Sequence, residues 1–136
     1  MIIVEYIVLI LVAFLLGSLS TGLIISRVLG KGDLRKFGSG KTGATNVLRT
    51  VGKGAAFVVV IFDFGKGAIP AIIGLYFMND DILALVGAAS ATVGHVFPVF
   101  AGFRGGRGVS TAVSYTHLRA HETEADLVCR LQLEKK

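Results

Sequence analysis

The sequence predicts an all-α membrane protein with about three transmembrane helices. Hydrophobic residues make up 53% of the 136-residue chain, and its mean hydropathy is +0.72. These residues are collected in long blocks, and a block of about 20 apolar residues is long enough to cross a bilayer as a helix. The loops between the blocks carry the charge, and its sign differs from loop to loop.

The three predicted helices cover about residues 7–25, 55–78 and 82–100. Residues 7–25 carry no charge, and Glu5 precedes them where a cleaved signal peptide would have Lys or Arg. Because this apolar run is also too long for a signal peptide, we expect an anchor that stays in the protein. The second block is apolar except for Asp63 and Lys66, and the third contains one His and one Pro.

Loop charges predict the orientation. Residues 27–53 contain seven Lys or Arg and one acid, Asp33, whereas residues 79–81 are acidic, and Arg104 and Arg107 follow the third block. The positive-inside rule then places the basic loops in the cytoplasm and the N-terminus outside. The net charge of +5 therefore does not indicate a nucleic-acid partner. The single Cys129 allows no internal disulfide and indicates no metal site.

A first polar cluster covers residues 33–50 and contains the stretch FGSGKTGATN. A nucleotide-binding P-loop would need glycine at position 35, which is Arg35, so that interpretation is disfavoured. Glycines at 38, 40 and 43 can still adopt backbone conformations whose N–H groups converge on an anion. Because Lys41, Thr45 and Asn46 add donors, we expect a phosphate site here rather than a flexible linker.

The second cluster, residues 63–70, lies inside an apolar block. Asp63 and Lys66 are three positions apart, so on a helix they share a face and can pair. A charge at mid-bilayer costs about 2.5–3.5 kcal/mol, which favours a functional role. Gly65 and Gly67 flank Lys66 and would open its surroundings to a ligand. The alternative is a purely structural ion pair.

The third cluster, residues 94–111, alternates glycines with Arg104 and Arg107. Guanidinium and free N–H groups suit phosphate oxygens, although the arginines could also serve only as a positive-inside anchor. His95 lies a short distance before them. We expect it to act as a general base, the alternative being a hydrogen-bonded core histidine.

The character of the chain changes near residue 112. All 18 glycines precede residue 109, and residues 113–136 are polar with mixed charge. Back-translated, residues 113–123 and 126–136 correspond to the two ends of a sequencing-library adapter, with one base change at Gln132. We therefore expect a native segment 1–112 and an adapter-derived tail. His117 and His121 have helical i, i+4 spacing, but Leu118 stands where the zinc-peptidase pattern needs Glu, so they indicate no metal site.

Three segments together resemble the PlsY family of bacterial glycerol-3-phosphate acyltransferases. They are GSGKTGATNVLRTVGK, FDFGKGAIP and GHVFPVFAGFRGGRGVSTA, in the order and spacing of the family's three motifs. The resemblance implies an inner-membrane enzyme of about seven helices, of which about three lie in this chain. It implies acyl transfer from acyl-phosphate to the 1-hydroxyl of glycerol 3-phosphate, without metal or other cofactor.

The resemblance also implies roles for individual residues. His95, Ser39 and Arg35 would be catalytic, although a substrate phosphate could replace His95 as the proton acceptor. The implied substrate-binding residues come from all three motifs: Gly38, Gly40, Lys41, Thr45, Asn46, Gly65, Lys66, Gly67, Arg104, Gly105, Gly106 and Arg107.

The chain departs from the family pattern at several positions. Lys41-Thr42 replaces a common Asn-Ile, Phe37 a frequent His, and Val96 an Asn that often follows the histidine. A Glu that the family carries beyond the third motif is absent. If the tail is an artefact, about four helices of the family are absent as well, so we expect the chain as written to fold poorly and to be inactive. The alternative function is a small basic membrane protein that binds anionic lipid headgroups without catalysis.

Overall fold

The computed structural model describes the backbone of residues 2–133 and the side chains of residues 3–121, 123 and 124. The side chains of Cys129 and Gln132 lie outside this range. Within it, the chain is all helical and contains no strand. Its α-helices are α1 (Ile2–Ser18), α2 (Thr21–Val28), α3 (Ala44–Thr50), α4 (Lys53–Ile72), α5 (Asp81–Val96) and α6 (Val109–Leu133).

The first predicted helix is interrupted, which corrects the single helix expected over 7–25. Between α1 and α2, Ser20 has non-helical dihedrals (φ −77°, ψ 79°), and the Thr21 N–H donates to the Leu19 carbonyl only two residues back. Nearby, the Ser18 hydroxyl donates to the carbonyl of Phe14. Ser and Thr side chains compete for backbone hydrogen bonds and bend helices. The three such residues in the S-L-S-T stretch therefore favour an interruption of the helix here.

The second and third predicted helices are present, with shifted ends. α4 contains Pro70 and continues as a π-helix over Ile73–Phe77, close to the expected 55–78. α5 begins after Asp80, whose carboxylate accepts the N–H groups of Ile82 and Leu83 as an N-cap. It ends at Val96 rather than at 100, because Pro98 disfavours helical backbone in the residue before it.

α1 and α5 lie side by side and run in the same direction. The hydroxyl of Tyr6, near the start of α1, donates to Asp80 at the start of α5. Near the other end, Gly94 meets the Phe14 backbone so closely that a Cβ on this glycine would collide with it. Small residues allow this close approach of helices, which is typical of packing between membrane helices.

The polar loops gather at one end of the bundle. α2 ends there, α4 begins there, and α5 ends there; residues 29–43 and 97–108 connect these helices. We call this region the loop end. A small core stabilises it, made of Leu23, Leu34, Val47, Ala56, Val59 and Ala101.

Three segments in the described range are long and apolar enough to cross a membrane: residues 3–28, 53–77 and 81–101. Many of their large apolar side chains point outward, among them Phe57, Ile61 and Phe62 on α4. An outward apolar surface on such helices is what a lipid environment requires.

α6 runs without interruption across the composition change near residue 112. It begins at the loop end and packs along α4, where Gly67 lies against Thr111 and Ser114. At the opposite end, Arg119 pairs with Asp81 at the start of α5. The expected boundary between native chain and tail therefore does not coincide with the end of a helix, and that division remains a prediction.

Candidate functional site

A cavity of about 260 Å³ opens at the loop end. Residues of all three polar clusters line it, although they are far apart in the sequence. Its main polar side chains are Ser39, Lys41, Arg49, Asp63, His95 and Arg107. Residues from all three polar clusters therefore lie at one cavity.

Asn46 organises the first loop. It is buried at 2% exposure, and its Oδ1 accepts the N–H of Ser39 at 3.0 Å. Its Nδ2 donates to three backbone carbonyls, those of Leu34, Phe37 and Lys41. Gly38 has φ +57°, and Asn46 Oδ1 occupies the space that a Cβ at position 38 would need. The loop conformation therefore depends on this one side-chain amide, which holds Ser39 and Lys41 at the cavity wall.

α3 carries a second polar row into the cavity. Thr45 and Arg49 both line it, and they are one helical turn apart on the same face. Both side chains are exposed at the loop end, where they can reach a ligand. Gly43 precedes the helix with extended backbone, so the first N–H groups of α3 start at the same wall.

Asp63 is the centre of a buried polar network. Its Oδ1 accepts the Thr21 hydroxyl at 2.7 Å and lies 2.8 Å from the Lys66 Nζ. The Lys66 Nζ also donates to the Leu19 carbonyl at 3.0 Å. Asp63 and Lys66 are only 2% and 6% exposed, so the predicted ion pair is confirmed and is deeply buried. Thr21 and Leu19 belong to the break between α1 and α2, which supplies the pair with its polar partners.

His95 lies at the inner wall of the cavity. The ring is 5% exposed, and its Nδ1 lies 3.6 Å from Asp63 Oδ1. This nitrogen is buried without a hydrogen-bond partner in the part of the chain that the structure describes. The opposite nitrogen, Nε2, lies against the backbone of Gly106, and the Gly106 N–H donates to the His95 carbonyl at 3.2 Å.

Arg35 is not at the cavity, although the sequence suggested a catalytic role. Its guanidinium forms a forked pair with Asp33, with Nη2 at 2.7 Å from Oδ2, and its Nη1 donates to the Ala101 carbonyl at 2.8 Å. It thereby ties the first loop to the third. The hydrogen bonds from Arg35 hold the pKa of Asp33 well below its usual range, and those to Asp33 raise the pKa of Arg35.

Other expected site residues also lie off the cavity. Arg104 is exposed and outside the lining, whereas Arg107 is part of it. Lys66 turns toward Asp63 and Leu19, and Gly67 packs on α6. Gly65 and Gly105 are likewise outside the lining, although Gly105 braces the third loop by donating to the Val96 carbonyl. The structure does not bring Arg104 or the Gly65–Gly67 segment to the cavity.

The sequence match decides the family. The family profile described as glycerol-3-phosphate acyltransferase matches residues 7–129. The chain belongs to this acyltransferase family.

Individual acyltransferases of the family agree with this assignment. The chain is 52% identical over 101 residues to a glycerol-3-phosphate acyltransferase of Jannaschia sp. (strain CCS1), covering 74% of this chain and 49% of the relative. It is 50% identical over 112 residues to one of Thiobacillus denitrificans, covering 79% and 56%. The chain thus spans about half the length of the curated relatives it matches.

Two solved structures of a family member resemble the fold. The glycerol 3-phosphate form of PlsY (YgiH), an integral membrane glycerol 3-phosphate acyltransferase, matches with a TM-score of 0.75 at 39% identity, over 82% of this chain and 56% of that chain. Its lysophosphatidic acid form matches with a TM-score of 0.72. Together with the three apolar segments, this likeness identifies the chain as an integral membrane protein.

Several residues of this candidate site were not predicted from the sequence. Arg49 and Ser110 line the cavity, and Thr21 holds Asp63. Arg49 could have been found from its i, i+4 relation to Thr45 on a short helix. Asp63 had been recognised only as the partner of Lys66. Thr21 had no local signal, because its role depends on a helix 42 positions away.

Proposed function

We propose that this chain forms the substrate-binding end of a glycerol-3-phosphate 1-O-acyltransferase in phospholipid synthesis. The enzyme would transfer a fatty acyl group from acyl-phosphate to the 1-hydroxyl of glycerol 3-phosphate, giving lysophosphatidate and phosphate. The observation that supports this most is the cavity at the loop end. It combines three cationic side chains with a buried imidazole and carboxylate: Lys41, Arg49, Arg107, His95 and Asp63.

The cations suit the two substrates, because both carry phosphate. Arg49 and Arg107 can each contact phosphate oxygens through two N–H groups, and Lys41 adds a point charge. The first loop and the start of α3 contribute further donors through Ser39 and Thr45. The cavity volume of about 260 Å³ lies close to the lower end of the range for small-molecule sites, which suits a small phosphorylated substrate.

The chemistry needs one proton acceptor. As the 1-hydroxyl oxygen attacks the acyl carbonyl, its proton must leave, and the bond between acyl carbon and phosphate oxygen then breaks. His95 lies at the cavity wall and is the acceptor that we propose. The leaving phosphate could take the same proton instead, and the cationic residues would stabilise the negative charge in either case.

The membrane arrangement suits a fatty substrate. The cavity opens at one end of three apolar segments, so an acyl chain can remain in lipid while its phosphate enters the loop end. We propose that the protein spans the bacterial inner membrane with the N-terminus outside and the loop end in the cytoplasm. Gly65, Lys66 and Gly67 would then assist glycerol 3-phosphate binding from behind the cavity wall.

A hybrid enzyme tests the proposal. Residues 1–112 would be joined to the C-terminal remainder of the Thiobacillus denitrificans acyltransferase, and lysophosphatidate formation would be measured from acyl-phosphate and glycerol 3-phosphate. We expect turnover in the hybrid and none in the 136-residue chain alone. Arg49→Gln and Arg107→Gln should raise the KM for glycerol 3-phosphate by about 10-fold or more, the effect of losing about one charged hydrogen bond. Lys53→Gln, an exposed cation outside the cavity, is the matched control.

The competing function is binding of anionic lipid headgroups without catalysis. Exposed cations outside the cavity, such as Arg27, Lys36 and Arg104, favour it. In that case Ser39→Ala and His95→Ala would leave lipid binding intact, while loss of arginines would weaken it in a salt-dependent way. An acyltransferase instead loses turnover with all of these changes in the cavity. A hybrid that is well folded yet inactive would contradict our proposal.

A further inference from the structure

The two ring nitrogens of His95 have different surroundings. Nδ1 points into the bundle, buried, with Asp63 Oδ1 at 3.6 Å as the nearby acceptor. Nε2 lies against Gly106, next to Arg107, which lines the cavity. A buried N–H without an acceptor is costly, and so is a buried bare nitrogen next to a carboxylate. The carboxylate therefore favours a proton on Nδ1.

Asp63 is itself held in place from two directions. On α2, the Thr21 hydroxyl donates a hydrogen bond of 2.7 Å to Asp63 Oδ1. On α4, the Lys66 ammonium lies 2.8 Å from the same oxygen. The Lys66 ammonium is anchored in turn by the Leu19 carbonyl. These contacts fix the carboxylate more firmly than an ion pair within one helix would. The Asp63 carboxylate is thus held in one position next to the His95 imidazole.

We propose that Asp63 is a positioning residue for His95. It would accept a hydrogen bond from the Nδ1 N–H and thereby select the tautomer that leaves Nε2 unprotonated on the cavity side. The distance of 3.6 Å between Nδ1 and Oδ1 is longer than a hydrogen bond. Hydrogen bonds between catalytic groups are often long until substrate is bound. No local motif predicts this pair, since His95 and Asp63 lie on different helices.

The proposal rests on the proposed function only in its consequence for catalysis. If Nε2 takes the proton of the substrate hydroxyl, the resulting imidazolium lies next to the Asp63 carboxylate, which stabilises it without changing its own protonation. The tautomer itself is a property of the folded chain. It can therefore be tested without any activity measurement.

Charges on the other elements around His95 are mostly balanced. From α4 come one carboxylate and one ammonium, Asp63 and Lys66, which offset each other. α2 offers the neutral Thr21, and α6 offers Ser110 and Thr111. Three further cationic side chains line the same cavity as His95: Lys41, Arg49 and Arg107. The nearby Asp63 carboxylate is therefore the main group that decides whether Nδ1 carries the proton.

Gly106 supports the other side of the ring. A Cβ at position 106 would collide with Nε2, so only glycine lets the third loop lie this close. The Gly106 N–H also donates to the His95 carbonyl, which ties the loop to the end of α5. The imidazole is thus confined between Asp63 and the Gly106 backbone. Such confinement keeps a general base in one orientation.

The test uses the hybrid enzyme, because the 136-residue chain alone is expected to fold poorly. The hybrid is labelled with ¹⁵N-histidine and reconstituted in phospholipid nanodiscs. Long-range ¹H–¹⁵N spectra report which ring nitrogen carries the proton, and the signal that disappears in His95→Gln is assigned to His95. We expect His95 to carry its proton on Nδ1. A His95 signal with the proton on Nε2, or one averaged over both tautomers, would overturn the proposal.

Two variants establish the cause. Asp63→Asn combined with Lys66→Met keeps the site neutral and should remove the Nδ1 preference of His95. Thr21→Val removes one hydrogen bond to Asp63 and should weaken that preference partially. Thr92→Val is the matched control, because its hydroxyl donates to the Ala88 carbonyl within α5. An unchanged His95 tautomer in the double variant would show that Asp63 does not select it.

In the hybrid enzyme, the same change separates positioning from substrate binding. Loss of Asp63 should lower kcat by about 10²-fold with little change in the KM for glycerol 3-phosphate. The pH profile of kcat should also shift, which a purely structural role would not cause. A correct tautomer in an inactive hybrid would contradict the proposed function but not this inference. An altered KM with an unchanged kcat and pH profile would overturn the role in catalysis.

Discussion

The Lys66 ammonium donates to the carbonyl oxygen of Leu19 at 3.0 Å, across 47 positions of the chain. Leu19 lies at the break between α1 and α2, where the helical hydrogen-bond pattern is interrupted. The break therefore supplies an acceptor to a cation buried inside the apolar segments. A buried charge needs such partners, since its desolvation is otherwise costly. The interruption of the first crossing and the ion pair of the second are two parts of one arrangement.

The buried pair predicts a non-additive effect of mutation. Lys66→Met or Asp63→Asn alone should destabilise the fold by about 3–5 kcal/mol, because each leaves an uncompensated buried group. The double variant should be less destabilised than the sum of the two. Unfolding in mixed detergent and denaturant micelles measures all three free energies. Additive losses would show that the two side chains are not coupled.

Asn46 should be the least replaceable residue of the first loop. Asn46→Ala removes one acceptor and three donor contacts at a buried position, and we expect a loss of about 3 kcal/mol in the free energy of unfolding. Asn46→Asp should also lower the free energy of unfolding, because a carboxylate oxygen would replace the amide nitrogen that faces three backbone carbonyls. The control is Thr50→Val, whose hydroxyl donates only to a carbonyl of its own helix. Equal stability of Asn46→Ala and Thr50→Val would refute the organising role.

The forked pair of Asp33 and Arg35 predicts a dependence of stability on pH. Because the pair lowers the folded-state pKa of Asp33, it stabilises the fold above the ordinary carboxylate pKa of about 4. That contribution is lost as the pH falls toward the lowered folded-state pKa. Asp33→Asn should flatten the acid limb of the stability curve. The raised pKa of Arg35 adds no further pH dependence in acid, because the stabilisation that it reports is fully present at every pH below the ordinary arginine pKa.

The pair is partly exposed, so salt should weaken its effect. Arg35→Lys keeps the charge but loses the fork and the bond to the Ala101 carbonyl. We expect this variant to behave like Asp33→Asn in acid and to loosen the third loop as well. An acid limb that is identical in wild type and both variants would contradict the prediction.

Glycine at position 106 should be required. Gly106→Ala places a methyl group against His95 Nε2 and should cost about 1–3 kcal/mol through overpacking, with loss of turnover in the hybrid enzyme. Gly54→Ala lies in the first turn of α4 with open space around its Cβ position, and should leave both properties nearly unchanged. Comparing unfolding and kcat of the two variants separates a local clash from a general effect of adding a methyl group. Normal turnover in Gly106→Ala would contradict the geometry.

We propose that residues 113–136 are adapter-derived, and sequencing of the source locus by an adapter-independent method tests this. We expect the native reading frame to continue past Ala112 into further apolar segments and a Glu in place of this tail. If the same tail is encoded, its packing through Ser114 against Gly67 becomes a native contact. The catalytic residues proposed here all precede position 112, so either result leaves them unchanged.

Much of the fold and part of the site were predictable from the sequence. The apolar blocks predicted three crossings, and the i, i+3 spacing of Asp63 and Lys66 predicted their pair, which the structure confirms. The break at Leu19 and Ser20 was missed, because apolar length carries no information about a two-residue interruption. Arg35, to which the family resemblance gave a catalytic role, ties two loops together through a contact made across 66 positions of the chain. That contact could not be predicted from the sequence.

The sequence by itself determined the membrane class, the three crossings and the residue types of a phosphate-binding site. These depend on composition and on spacing within one segment, which local physics decides. Only the tertiary structure decided which polar side chains meet. It placed Asp63 next to His95, brought Arg49 rather than Arg104 to the cavity, and joined Lys66 to Leu19. Such pairings depend on how separate helices pack, and the pattern within any one helix does not specify its neighbour's register.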